Sequence, residues 1–278
     1  MRKFVLAALM LGTAHGAYAA DMPDFSPVLR GAFPEGLSRT AVVWQGYYVG
    51  GQAAYGSADM NFSGSNDSLI SRALGPNNIL LNTVLSISQA NGKSSSRQSA
   101  FGGFAGYNSQ WDDVVIGIEG SYMHGDFNGT SRVAPAPLTY VSPFADNLYH
   151  TIGLVSSRSI SISDVGTVRA RAGYAFGNFL PYMFGGVALG YASLSSSVSI
   201  TDRAAATFAT SAGAAPTFYS ATDSTSGKLL YGYTAGLGTE AMLFGNLFLR
   251  AEWEYVRFVN AGADVNINTV RAGLGYKF

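Results

Sequence analysis

The chain closes on "NTVRAGLGYKF", residues 268–278. Val270, Ala272, Leu274, Tyr276 and Phe278 alternate with Thr269, Arg271, Gly273, Gly275 and Lys277. A period of two is the mark of a strand with one apolar face. The last residues of a soluble domain ordinarily fray. A strict alternation carried to the final residue, with two cations on the opposite face, predicts a strand that must pair.

The same alternation recurs upstream. It runs through "YYVGGQAAYG" (47–56), "AFGGFAGYNSQW" (100–111), "VVIGIEGSYMH" (114–124) and "VGTVRARAGYAF" (165–176). It returns in "PYMFGGVALGY" (181–191), "LLYGYTAGLGTEAML" (229–243) and "LFLRAEWEYVRF" (247–258). Each segment is long enough to supply the ~9–11 residues of a tilted membrane-crossing strand. In 181–191 both faces are apolar, and Met183, Val187, Leu189 and Tyr191 are read as the outward set.

Composition points the same way. Hydrophobic residues make up 47% of the 278, charged residues 12%. A soluble domain carries roughly 25% charge. No stretch reaches the ~18 apolar residues of a membrane helix. The opening "MRKFVLAALMLGTAHGAYAA" has Arg2 and Lys3, a short apolar run and Ala17-Tyr18-Ala19. That is the pattern of an export signal, residues 1–19. Residues 20–43, with Pro23, Pro27 and Pro34, read as a periplasmic lead-in. Without Arg2 and Lys3, fifteen cations face seventeen anions, which offers no basic field for nucleic acid. There is no cysteine, so disulfides and thiolate metal sites are excluded.

Connection lengths set the topology. Long connections at about 57–97, 125–163 and 193–226 alternate with short ones at Asp112-Asp113, Gly177-Asn178 and Gly245-Asn246. Membrane barrels have long outer loops and short periplasmic turns. The apolar face carries too many large side chains for the interior of eight strands, so it must face lipid. The fold class is therefore all-β, an eight-stranded antiparallel transmembrane β-barrel spanning residues 44–278. Trp44, Tyr47, Trp111, Phe176, Tyr276 and Phe278 are expected to form one aromatic girdle. Tyr55, Phe101, Tyr122, Tyr191, Tyr231 and Tyr255 form the other.

"WQGYYVGGQAAYG", "GTVRARAGYAF", "LPYMFGGVALGY", "YTAGLGTEAML" and "NTVRAGLGYKF" resemble the small outer-membrane β-barrel family of alphaproteobacteria, which is grouped with the OmpA-like eight-stranded barrels. The resemblance covers roughly residues 44–278, mainly the strands. It implies outer-membrane localisation and a structural or porin-like role, with surface antigens and some haemin-binding members among its relatives. It carries over no catalytic residues. A terminal strand ending in Leu274, Tyr276 and Phe278 also resembles the signal read by the barrel assembly machinery.

Inward parity falls on Glu119, Arg169, Arg171, Glu240, Arg250, Glu252, Glu254, Arg271 and Lys277. These are expected to pair as Glu119 with Arg169 or Arg171, Glu240 with Arg250, and Glu252 or Glu254 with Arg271. They then form a mutually neutralised filling, or line a narrow conduit. The same carboxylates have the chemistry for acid–base work. His124, near Asp126, and His150, with Tyr140 or Tyr149, are candidate axial haemin ligands for a surface-receptor alternative. No serine stands beside His124 at outward Tyr122, and no enzyme or cofactor is expected. Arg97 and Arg257 have outward parity at strand ends and are expected to contact lipopolysaccharide phosphates. "NNILLNTVLSIS" (77–88) either covers the barrel mouth or meets a partner, or forms a short helix or hairpin packed on its own loop. The oligomeric state is open.

Overall fold

A computed structural model describes residues 42–278 apart from position 77. The export signal and most of the lead-in lie outside the described residues. Nine strands form one sheet: β1 (Gly46–Asn61), β2 (Lys93–Trp111), β3 (Val114–Val133), β4 (Leu138–Thr139), β5 (Tyr149–Tyr174), β6 (Phe179–Ala205), β7 (Pro216–Phe244), β8 (Leu247–Phe258) and β9 (Asp264–Lys277). Every pairing is antiparallel. β3 pairs with β5 and β1 with β9, so eight strands close a ring. β4 is a two-residue addition to β5. The terminal alternation does what closure requires. Val49 faces Tyr276 in register, and the Phe278 N–H donates to the Tyr47 carbonyl at 2.8 Å.

The parity read from sequence places the side chains correctly. Tyr47, Trp111, Phe176, Tyr276 and Phe278 are exposed at the short-turn end; Tyr55, Phe101, Tyr122, Tyr191 and Tyr231 are exposed at the other. Met183, Val187, Leu189 and Tyr191 face outward, which settles the phase of β6. Gly177 and Gly245 adopt φ of +59° and +53° in their hairpins, as tight turns require.

Two expectations are corrected. Trp44 does not join the girdle. It is buried at 1% exposure under the barrel, with its backbone N–H on Gln110 Oε1 at 2.6 Å and its indole N–H on the Gly177 carbonyl at 3.3 Å. It precedes β1, so strand parity did not govern it. The long connections, in turn, are largely strand. β5, β6 and β7 have 26, 27 and 29 residues, against 12 and 14 for β8 and β9. "SISISDV" (159–165) and "SLSSSVSI" (193–200) continue the alternation with serine on the wet face, and bury Ile160, Ile162, Val198 and Ile200. Serine-rich composition reads as loop, whereas the periodicity reads as strand.

These extensions stand beyond the membrane-crossing rim as a tall sheet. Three register breaks lie at the rim: between His124 and Phe127, between Ile162 and Asp164, and between Ala192 and Leu194 opposite Ser226-Gly227; a fourth, between Met242 and Phe244, lies at the short-turn end. Such bulges bend a strand and increase its twist. Two helices from the β1–β2 connection, α1 (Asp67–Leu74) and α2 (Leu81–Ile87), cover one face of the tall sheet. Leu69, Ile70, Leu74, Leu80 and Val84 pack with Ile152, Leu154, Val198 and Ile200. α1 is helical because its apolar residues share one face, Asp67 and Arg72 suit its dipole, and Gly75 at φ +80° ends it. The apolar 77–88 stretch thus supplies a short helix packed on the sheet. A third helix, α3 (Phe208–Ser211), is a single turn. No described helix is long and apolar enough to cross a membrane.

Candidate functional site in the barrel interior

The interior is built in layers. At the short-turn end, Trp44, Tyr48, Phe104, Val115, Leu180, Tyr182, Phe184, Met242 and Phe248 form an apolar floor. The rings are seated against glycines on neighbouring strands. A Cβ at Gly50 would run into the Phe104 ring opposite it, and one at Gly275 into the Phe248 ring. At the tall end, Met60, Phe62, Met123, Phe127, Ile162, Leu230, Val256, Phe258, Val265 and Ile267 make a second apolar layer.

Between them lie four carboxylates and four guanidiniums, all buried: Glu119, Glu240, Glu252 and Glu254 with Arg169, Arg171, Arg250 and Arg271. Strand register sets three pairs face to face: Glu119 with Arg169, Glu240 with Arg250, and Glu252 with Arg271. The side chains then reach across the lumen. Arg169 meets Glu119 at 2.5 Å and Glu252 at 2.8 Å. Arg250 meets Glu240 and Glu119, each at 2.6 Å. Arg171 meets Glu240 at 2.8 Å, and Arg271 pairs with Glu254.

Hydroxyls and rings complete the layer. Tyr48 Oη donates to Glu119 at 2.7 Å, Tyr182 Oη to Glu252 at 2.5 Å and Thr234 Oγ1 to Glu254 at 2.8 Å. Arg250 lies 3.6 Å over the Phe104 ring, Arg171 3.8 Å over Tyr182 and Arg169 4.0 Å over Phe184. Desolvated cations are attracted to ring faces, so the floor also holds the charges from below. Each of these four carboxylates accepts from a guanidinium. Lys277 stands apart at the rim, its ammonium on the Gln45 carbonyl at 3.2 Å. Sequence parity found the charges. It did not single out Tyr48, Tyr182, Phe104 and Phe184, whose signal was an inward aromatic beside small residues.

The histidines are not brought together. His124 is exposed at the rim, and its Nδ1 meets Asp164 of β5 at 2.9 Å rather than Asp126. His150 is buried high on β5, with Nδ1 on Asp202 at 2.8 Å and Nε2 on Asp146 at 3.2 Å. Asp164, opposite His124, lies fourteen residues along β5 from His150, about 45 Å of extended strand. Both ring nitrogens of His150 are occupied. Among the described residues no group of three or more His, Cys, Asp or Glu is arranged to hold a metal ion. Arg97 is exposed on β2, and Arg257 lies on the outer face of β8 with Asp264 at 3.5 Å. Leu274, Tyr276 and Phe278 face outward on β9 and beyond its end, with the two rings 5.2 Å apart.

Relatives in sequence are outer-membrane proteins. The 31 kDa outer-membrane immunogenic protein of Brucella melitensis is 28% identical over 300 aligned residues, covering 100% of both chains. The 25 kDa outer-membrane immunogenic protein of Brucella ovis is 27% identical over 64% of this chain, and the match spans 62% of that relative's length. Among solved structures, Neisserial surface protein A aligns over 84% of this chain and 97% of its own, at 15% identity and a TM-score of 0.35. A family model for the outer membrane protein beta-barrel domain matches residues 4–278. The chain belongs to that family and is an outer-membrane β-barrel protein.

Proposed function

We propose that this protein is a closed structural barrel of the outer membrane, contributing to envelope integrity and display at the surface rather than to solute passage. The observation that carries this reading is the buried layer of four carboxylates and four guanidiniums between two apolar layers. Eight strands leave an interior that side chains can fill. Here the filling is cross-linked, because Arg169 and Arg250 each reach carboxylates on opposite walls. A buried ion layer with its partners in place resists opening, since separating any pair strands a charge. Outward Arg97 and Arg257 support a further part of the reading, anchoring to lipopolysaccharide phosphates at the outer rim.

The test is conductance of the purified wild-type protein in planar bilayers. Small or intermittent currents are expected. A large, steady conductance would show an open channel and remove the structural reading.

A further inference from the structure

Above the rim, β7 has a neighbour on one side only. β6 pairs with it from Pro216 to Ala241, whereas β8 pairs with it only from Gly232 to Phe244. Asn260 extends the cover slightly, holding the Leu229 carbonyl and the Tyr231 N–H. From Pro216 to Lys228 no strand pairs with that edge. In a strand the amide groups of alternate residues point to opposite sides. Odd residues face β8 below the bulge, as the Leu229 and Tyr231 bonds show. The extra residue at Ser226-Gly227 reverses this, so Phe218, Ser220, Thr222 and Ser224 direct their N–H and C=O groups away from β6. The Thr222 carbonyl accordingly accepts from Arg72 of α1 at 2.8 Å, an exposed side-chain contact that an added strand would displace.

Native edge strands are normally blunted by lysine, proline or shortness. This one carries Pro216 and Lys228 only at its two ends; the eleven residues between them contain a single charged residue, Asp223, and no proline. Phe218, on the outer face, is 68% exposed.

We infer that the open edge of β7 between Pro216 and Lys228 is a docking site for an extended segment of an extracellular polypeptide, which adds to the sheet as an antiparallel strand. Such addition gains main-chain hydrogen bonds from the edge and selectivity from alternate side chains. The favoured segment is largely uncharged, carries an apolar residue beside Phe218 and places a cation opposite Asp223. A second copy of this chain is a poor occupant. Copies in one membrane are related by an axis along its normal, and strands tilted by roughly 35–45° would then cross steeply instead of lying side by side. A chain arriving from outside has no such restriction.

The experiment uses the full protein in detergent and a fluorescent peptide, LSKSVSIVDR. This is Leu194–Arg203, which already pairs antiparallel with β7 on its other side, with Ser196→Lys and Thr201→Val, so that in the same register a cation meets Asp223 and an apolar residue meets Phe218. Saturable binding is expected, together with slowed hydrogen exchange confined to segment 216–228. Ser220→Pro, which removes one edge-facing donor, should weaken binding about tenfold, the effect of losing one hydrogen-bonded pairing. Ser220→Ala should bind like wild type. The peptide N-methylated throughout, tested on the unaltered protein, should not bind. No saturable binding at millimolar peptide, undiminished binding of the N-methylated peptide, or protection outside 216–228 would each overturn the inference.

Discussion

Arg250 faces Glu240 on the neighbouring strand at 2.6 Å, and the same guanidinium reaches Glu119 on β3 at 2.6 Å. One side chain thus ties two walls of the barrel. Replacing Glu240 with Ala removes a carboxylate shared by Arg171 and Arg250. Leaving a buried charge without its partner costs about 3–5 kcal/mol. The variant should unfold at lower temperature in a heat-modifiable gel shift. It should also conduct more than wild type in planar bilayers, with a preference for anions. Unchanged stability and conductance would mean that the ion layer does not hold the lumen shut.

Trp44 tests the floor. Its ring is buried in the apolar floor, and its indole N–H is bonded to the turn that joins β5 and β6. Trp44→Ala should cost about 3–5 kcal/mol, as for other buried aromatics truncated to alanine. Trp44→Phe keeps most of the packing and loses one hydrogen bond, so it should cost about 1 kcal/mol. Denaturant titration of the refolded barrel measures both, and similar losses for the two variants would contradict the burial.

Phe278 is exposed to the lipid side, while its backbone N–H completes the junction of the last strand with the first. Phe278→Ser keeps the N–H and removes the ring that packs on Tyr276. Truncation removes both. Both variants should insert poorly and accumulate in the periplasm, truncation more severely. Fractionation followed by the gel shift gives the folded share, and an undiminished outer-membrane fraction for truncation would discard this role.

Arg97 and Arg257 project from β2 and β8, with β1 and β9 between them in the ring. Rim arginines spread over a width of four strands suit a multivalent anion such as the phosphorylated headgroup of lipopolysaccharide. The Arg97→Ala/Arg257→Ala double variant should bind lipopolysaccharide more weakly, and the difference should shrink as salt is raised. Equal binding by the double variant and wild type would reject the contact.

Much of the fold was legible because a barrel in lipid obeys a single rule, apolar outward on alternate residues. That rule assigned Glu119, Arg169, Glu240 and Arg250 to the interior, and their pairing followed from strand order. It failed where the solvent changes. Beyond the rim both faces of a strand need not differ in the same way, so the serine-rich stretches around Ile160 and Val198 read as loops. Trp44 was misplaced for a related reason: outside a strand, nothing in the local pattern fixes direction. The cross-lumen contact between Arg169 and Glu252 was hidden as well, because those residues lie 83 positions apart on strands that are not neighbours.

The seating of Phe104 over Gly50 and of Phe248 over Gly275 bears on how the barrel assembles. Each ring belongs to one strand and its seat to the next. A lone hairpin holds at most one of these ring-and-seat pairs, and the guanidinium that stacks on Phe104 comes from β8, on the opposite side of the closure seam. An incomplete sheet therefore lacks the contacts that cross the seam, such as Arg250 on Phe104 and on Glu119, and these arrive when β9 meets β1. Assembly should accordingly be all-or-none, with few partly formed barrels persisting in the membrane.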